Sequence, residues 1–182
     1  MTTLHPERAA NRAVGLTELL AAREQRRDRQ QAWLARHPTT LVVLTPLAPG
    51  ALKDSPLTRR IFNLGWQALR NEQRRQGWHC LRAEALGLPA GGEGFISLQA
   101  AAPQVKQCCI RLEETHPAGR LWDIDVLDAQ GRILSRDDCG LPARRCLLCD
   151  QPARLCARQR RHDVGQLLAA MEETLNAALA AR

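Results

Sequence analysis

Two aspartates one residue apart, Asp123 and Asp125, sit in the alternating run Arg120-Leu121-Trp122-Asp123-Ile124-Asp125-Val126-Leu127. That alternation predicts a strand, and because Asp is disfavoured in strands, two of them ask for a reason. Side chains alternate across a strand, so the carboxylates share one face while Trp122, Ile124 and Val126 share the other, the expected core face. At a rise of about 3.3 Å per residue the pair stands ~7 Å apart, close enough to converge on Mg²⁺ and on the phosphates it bridges. A solvent-facing strand with ordinary surface charges is the plain alternative.

A second constellation is Cys146-Leu147-Leu148-Cys149, followed by Cys156 and His162. Three thiolates and a neutral imidazole suit a closed tetrahedral zinc site, although the spacing differs from the common two-pair ribbon. Redox chemistry at the Cys-x-x-Cys and simple packing of reduced thiols are the alternatives. The third is the run Lys53-Asp54-Ser55-Pro56-Leu57-Thr58-Arg59-Arg60, where cations gather at a helix start. Arginine in a first turn opposes the helix dipole at a cost of roughly 0.3–1 kcal/mol, which reverses if a phosphate binds there.

Other chemistry is missing. The run Gly91-Gly92-Glu93-Gly94 lacks the strand, lysine and helix of a P-loop and is expected to be a loop. His5, His37, His79 and His116 are scattered, and neither Ser97 nor Ser135 has a nucleophile motif around it. The chain shows no nucleophile of its own.

The elements that must position these groups read as α+β, in one domain spanning 1–182 with a small sheet flanked by helices and a Cys/His-rich segment at 146–162. A helix capped by Thr17 runs to about Arg36, with Leu16, Leu19, Leu20, Trp33 and Leu34 apolar and its charged middle, Arg23 to Arg29, a solvated face. Leu41 to Thr45 is a short buried strand. The next helix is the clearest: Ser55 caps it, Pro56 opens it, Gly77 follows it, and Leu57, Ile61, Leu64, Gly65, Ala68 and Leu69 form one stripe. Strands are expected over Trp78–Leu86 and Phe95–Leu98, a helix over Gln104–Glu114, and a hairpin through Asp128-Ala129-Gln130-Gly131 returning as Arg132–Ser135. A final helix, capped by Asp163, is expected to bury Val164, Leu167, Leu168, Met171, Leu175 and Leu179.

The 182 residues carry a formal charge of +7. The chain will therefore attract phosphates, nucleic acid or an acidic protein. Four Trp, two Phe and no Tyr argue against broad base-stacking platforms. Met1 to Arg8 shows no basic stretch followed by an apolar one, and no run approaches the ~18 apolar residues of a membrane span, so a cytoplasmic location is expected. Seven cysteines without a secretion signal point to reduced thiols or metal ligands.

Taken together, several segments resemble one family. Gly119-Arg120-Leu121-Trp122-Asp123-Ile124-Asp125-Val126, with Pro49-Gly50, Lys53-Asp54-Ser55 and Thr58 to Asn63 before it and Arg144-Arg145-Cys146-Leu147-Leu148-Cys149 after it, looks like the apo-citrate lyase phosphoribosyl-dephospho-CoA transferase family. The resemblance spans essentially the whole chain. It implies a donor, 2'-(5''-triphosphoribosyl)-3'-dephospho-CoA, and an acceptor serine on the acyl carrier subunit of citrate lyase, with diphosphate released. Phosphoryl transfer needs positioning and charge neutralisation, so Asp123 and Asp125 are assigned to catalysis and, from that chemistry rather than from a family motif, to Mg²⁺, and Lys53, Arg59, Arg60 and Arg120 to phosphates. Cys146, Cys149, Cys156 and His162 remain candidates for structural Zn²⁺. The rival reading is a small basic zinc-binding nucleic-acid module, which leaves the aspartates unexplained.

Overall fold

A computed structural model describes residues 3–181, and the part of the N-terminal reading that falls on Met1 and Thr2 lies outside the described residues. The elements are α1 (Leu16–Arg36), β1 (Thr40–Pro46), α2 (Pro56–Arg75), β2 (His79–Leu88), β3 (Gly91–Gln99), α3 (Ala102–Thr115), β4 (Trp122–Leu127), β5 (Ile133–Leu134), α4 (Ala153–Gln159) and α5 (Val164–Ala180). All five strands form one antiparallel sheet in the order β2-β3-β1-β4-β5. The architecture is α+β, built around that single sheet.

β1 takes the central place because Leu41, Val42, Val43 and Leu44 can all be buried, two against each face. Val42, Leu44, Ile96, Leu98, Ile124 and Val126 pack on one side against α2, α3 and α5. The other side is smaller: Leu41, Val43, Phe95 and Leu127 meet Trp33 of α1. The rest of this second face is polar, and it carries the aspartates.

α2 starts where expected. Ser55 Oγ accepts from the Thr58 N–H at 3.2 Å, while Thr58 Oγ1 accepts from the Ser55 N–H at 2.9 Å, a reciprocal cap with Pro56 at the first helical position. Other expectations need correction. α1 is preceded by Gly15 with no side-chain cap, so Thr17 is inside the helix; Leu16 and Leu20 are exposed, and Trp33 alone is buried. β4 begins at Trp122, because Gly119–Leu121 forms a 3-10 turn. In α5 the buried residues are Met171, Leu175 and Ala178, whereas Val164, Leu168 and Leu179 stay partly in water. Periodicity locates a stripe but not how far its neighbours extend beneath it.

The largest correction is the glycine run, which is the start of β3 and fully buried. Glycine is needed there for close approach rather than for a turn. A Cβ on Gly94 would stand 2.7 Å from the Trp66 ring, and one on Gly92 3.0 Å from Phe62. Gly94→Ala should therefore overpack the core by about 1–3 kcal/mol, a fall in Tm of roughly 5 °C in a thermal melt. An unchanged Tm would mean that Trp66 moves aside at no cost.

β4 is held from both ends of its polar stretch. The Trp122 indole N–H donates to the Ile61 carbonyl at 3.0 Å, its ring lying over Gly65. β5 pairs only with Val126 and Leu127, so α3 supplies what a neighbouring strand would at Ile124. The Ile124 N–H donates to Glu113 Oε1 at 3.0 Å, and its carbonyl accepts from Lys106 Nζ at 3.1 Å. Asp123 thus lies between two fixed residues.

Candidate active site

Pairing in register sets Asp123 opposite Thr45 and Asp125 opposite Val43, on the face covered by α1. The two carboxylates differ in environment. Asp123 is 65% exposed, with Arg144 Nη1 3.7 Å from Oδ1. Asp125 lies deeper; burial above all, then the charge of Asp123, pushes its pKa up to about 6 against the opposing pull of Lys106 and Arg26. At neutral pH two like charges share this face of one strand.

Two groups of cations lie near the pair. On α1, Arg26 Nε and Arg29 Nη2 each reach a different oxygen of Glu93 at 2.8 Å, and Glu93 is 1% exposed. The segment read as a solvated face is therefore the helix's anchor. Next to it is a cleft of about 160 Å³ lined by Arg23, Arg26, Thr45, Lys53, Gly91 and Gly92. Lys53 Nζ donates to the Ala48 carbonyl at 2.6 Å, and burial together with the nearby Arg23 lowers its pKa. Among the described residues no carboxylate pairs with Lys53 or Arg23, so the cleft carries positive charge in want of an anion.

The second group lies just ahead of the first residue of β4, around Arg120. Arg120 Nη2 donates to the carbonyls of Arg145 and Cys146 at 2.7 and 2.6 Å, and Arg144 returns a hydrogen bond to the Arg120 carbonyl. Burial, then Arg144, lowers the pKa of Arg120.

Not every expected residue joins these groups. Arg59 is buried, with Nε and Nη2 on the two oxygens of Asp54 at 2.6 and 2.7 Å and Nη1 on the His5 carbonyl at 2.7 Å. Three of its N–H donors are engaged inside the fold, where they tie the N-terminal segment to α2, and its charge is paired with Asp54. Arg60 is exposed on α2, a helix packed on the opposite side of the sheet. Arg23, Arg26, Arg144 and Glu93 were not singled out from sequence. One signal was available: Arg26 and Arg29 are three apart on one helix face, and Glu93 is a lone charge in an apolar strand.

Cys146, Cys149, Cys156 and His162 come together as their types suggested, with one ligand atom from each within 4.8 Å of all the others. This segment reaches the start of β4 through Arg120 and Arg144.

A family model described as apo-citrate lyase phosphoribosyl-dephospho-CoA transferase matches residues 14–178, taking in both aspartates, both cation groups and the cysteine cluster. The chain belongs to this family. A relative of that name from Escherichia coli O6:K15:H31 (strain 536) is 52% identical over 173 residues, covering 95% of this chain and 94% of its own. Relatives of the same name from Escherichia coli O1:K1 and Shigella boydii serotype 18 are 52% and 51% identical with the same coverage. Among the described residues no helix of this transferase-family chain is long and apolar enough to cross a membrane.

Proposed function

We propose that this chain transfers the phosphoribosyl-dephospho-CoA group from 2'-(5''-triphosphoribosyl)-3'-dephospho-CoA to a serine of the apo acyl carrier subunit of citrate lyase, in the cytoplasm. The observation that carries this reading is a like-charged carboxylate pair with Arg144 at Asp123 and a cation-lined cleft against the paired Thr45, on a chain matched to the family over residues 14–178. The serine oxygen of the carrier attacks the phosphorus nearest the ribose. A new O–P bond forms, the bond to the diphosphate bridging oxygen breaks, diphosphate leaves with that electron pair, and the serine proton is released.

Such chemistry needs positioning and charge neutralisation more than a covalent intermediate, which fits a chain with no nucleophile of its own. Lys53 and Arg23 hold the phosphates in their cleft, and Arg120 and Arg144 border the carboxylates on the other side. The donor set also fits Mg²⁺: Asp123 and Asp125 offer hard oxygens, and their mutual repulsion is what a divalent cation relieves. When bound there it supplies neutralisation of the charge developing on the phosphates. The net charge of +7 favours docking of an acidic carrier. Nothing favours the nucleic-acid module, in which carboxylates beside the cations would repel a phosphate backbone.

The test is intact mass spectrometry of the apo carrier after incubation with this protein, the donor and Mg²⁺. The carrier mass should rise by one phosphoribosyl-dephospho-CoA group, with diphosphate appearing in equal amount. An unchanged carrier beside intact donor would remove the assignment.

A further inference from the structure

We infer that Cys146, Cys149, Cys156 and His162 form a structural Zn²⁺ site that holds the segment between β5 and α5 in place. The geometry of the four ligand atoms is the first support. Cys149 Sγ lies 3.5 Å from Cys156 Sγ and 3.3 Å from His162 Nε2. A tetrahedron with Zn–S of about 2.3 Å and Zn–N of about 2.0–2.1 Å has S···S edges of about 3.8 Å and S···N edges of about 3.5 Å. Those two separations come close to the edges, and all four ligand atoms lie within 4.8 Å of one another. They are far longer than a disulfide, and all seven cysteines are free.

The second support is what the segment lacks. Between Ser135 and Ala170 the buried residues are Cys146 and Cys156 alone. Before α5 begins at Val164, its regular structure is a 3-10 turn, a single bridge between Arg145 and Pro152, and the short α4. Among the described residues of this stretch only Leu147 packs against the main hydrophobic core, and small units of this kind are ordinarily held by metal or disulfides.

The site has a bearing on the strand that carries Asp123. Cys146 and its neighbour Arg145 present their carbonyls to Arg120, and Arg144 reaches toward Asp123. Metal at the cluster therefore fixes two cations at the edge of the carboxylate pair. The inference does not rest on the transfer reaction, since its readouts are metal content and local order.

Protein purified without chelator is expected to contain about one zinc per chain, with an X-ray absorption spectrum of three sulfurs and one nitrogen. Co²⁺ offered to the reduced, zinc-stripped wild-type protein should give the d–d bands of a tetrahedral thiolate site. Cys149→Ser should lose the metal, and Cys139→Ser, outside the cluster, should keep it. Stripping zinc should speed proteolytic cleavage between Ser135 and Val164 by on the order of tenfold. If wild-type protein contains no zinc as isolated and takes up neither Zn²⁺ nor Co²⁺ when reduced, or holds a disulfide within the cluster instead, the site does not exist. Because the wild-type measurements stand alone, a Cys149→Ser chain that fails to fold leaves the outcome decided.

Discussion

Asp125→Asn should lower the single-turnover transfer rate by at least ~10³-fold while raising the melting temperature of the Mg²⁺-free protein. The two effects have one cause. Burial and the adjacent Asp123 lift the folded-state pKa of Asp125 to about 6, above the ordinary value of 3.8. The folded protein then binds more protons than the unfolded chain between about pH 4 and pH 6, so stability falls as pH rises through that window and stays low above it. At pH 7 the ionised group costs the fold on the order of 2 kcal/mol, discounting the part set by the solvent-exposed Asp123. The amide removes that charge without changing the volume beside Val43, and a gain of roughly 4–8 °C follows for a chain of this size.

A carboxylate kept at a cost to stability is the pattern expected of a functional group rather than of a structural one. Asp123→Asn should also slow transfer strongly, but with little change in melting temperature, because Asp123 is mostly in water. At limiting Mg²⁺ the wild-type rate should decline below about pH 6, where a proton on Asp125 competes with the metal. The measurements are single-turnover rates and thermal melts of both variants, with and without Mg²⁺. Near-normal transfer by Asp125→Asn, or a parallel loss of rate and stability, would take this carboxylate out of the mechanism.

Removing both arginines that hold α1, Arg26→Ala with Arg29→Ala, should destabilise the protein far more than Glu93→Gln does. The asymmetry comes from exposure. Glu93 is 1% exposed, whereas the Arg26 and Arg29 side chains are 29% and 25% exposed. The double arginine variant leaves a buried, unpaired carboxylate, at a cost of about 3–5 kcal/mol, or a Tm lower by on the order of 10 °C. Glu93→Gln leaves two guanidiniums that can turn to water, and about 1–2 kcal/mol is lost. A pH effect separates this from simple loss of packing. Without Arg26, whose charge opposes the upward shift at Asp125, the acid limb of the transfer profile should move to higher pH. Equal losses in Glu93→Gln and in the double variant would show that α1 is anchored by something else.

What the sequence alone determined were features governed by neighbours along the chain. Alternation puts Asp123 and Asp125 on one face and Trp122, Ile124 and Val126 on the other, because side chains on a strand can do nothing else. The α2 cap is equally local, since Ser55 and Thr58 satisfy each other three residues apart. The spacing of Cys146, Cys149, Cys156 and His162 is short enough for one segment to bring them together. Tertiary structure decided the pairing of charges. Arg26 meets Glu93 across 67 residues, and nothing nearby in the chain distinguishes that arginine from a solvated one. Arg59 and Lys53 look alike in sequence as cations flanking a helix start, yet one is taken up by Asp54 and the other opens into a cleft with Arg23. The Gly91-Gly92-Glu93-Gly94 run became a strand because the rings of Phe62 and Trp66 need bare backbone beneath them. Local rules limit which face a side chain occupies; which charge it meets, and whether water reaches it there, is set only when distant segments pack.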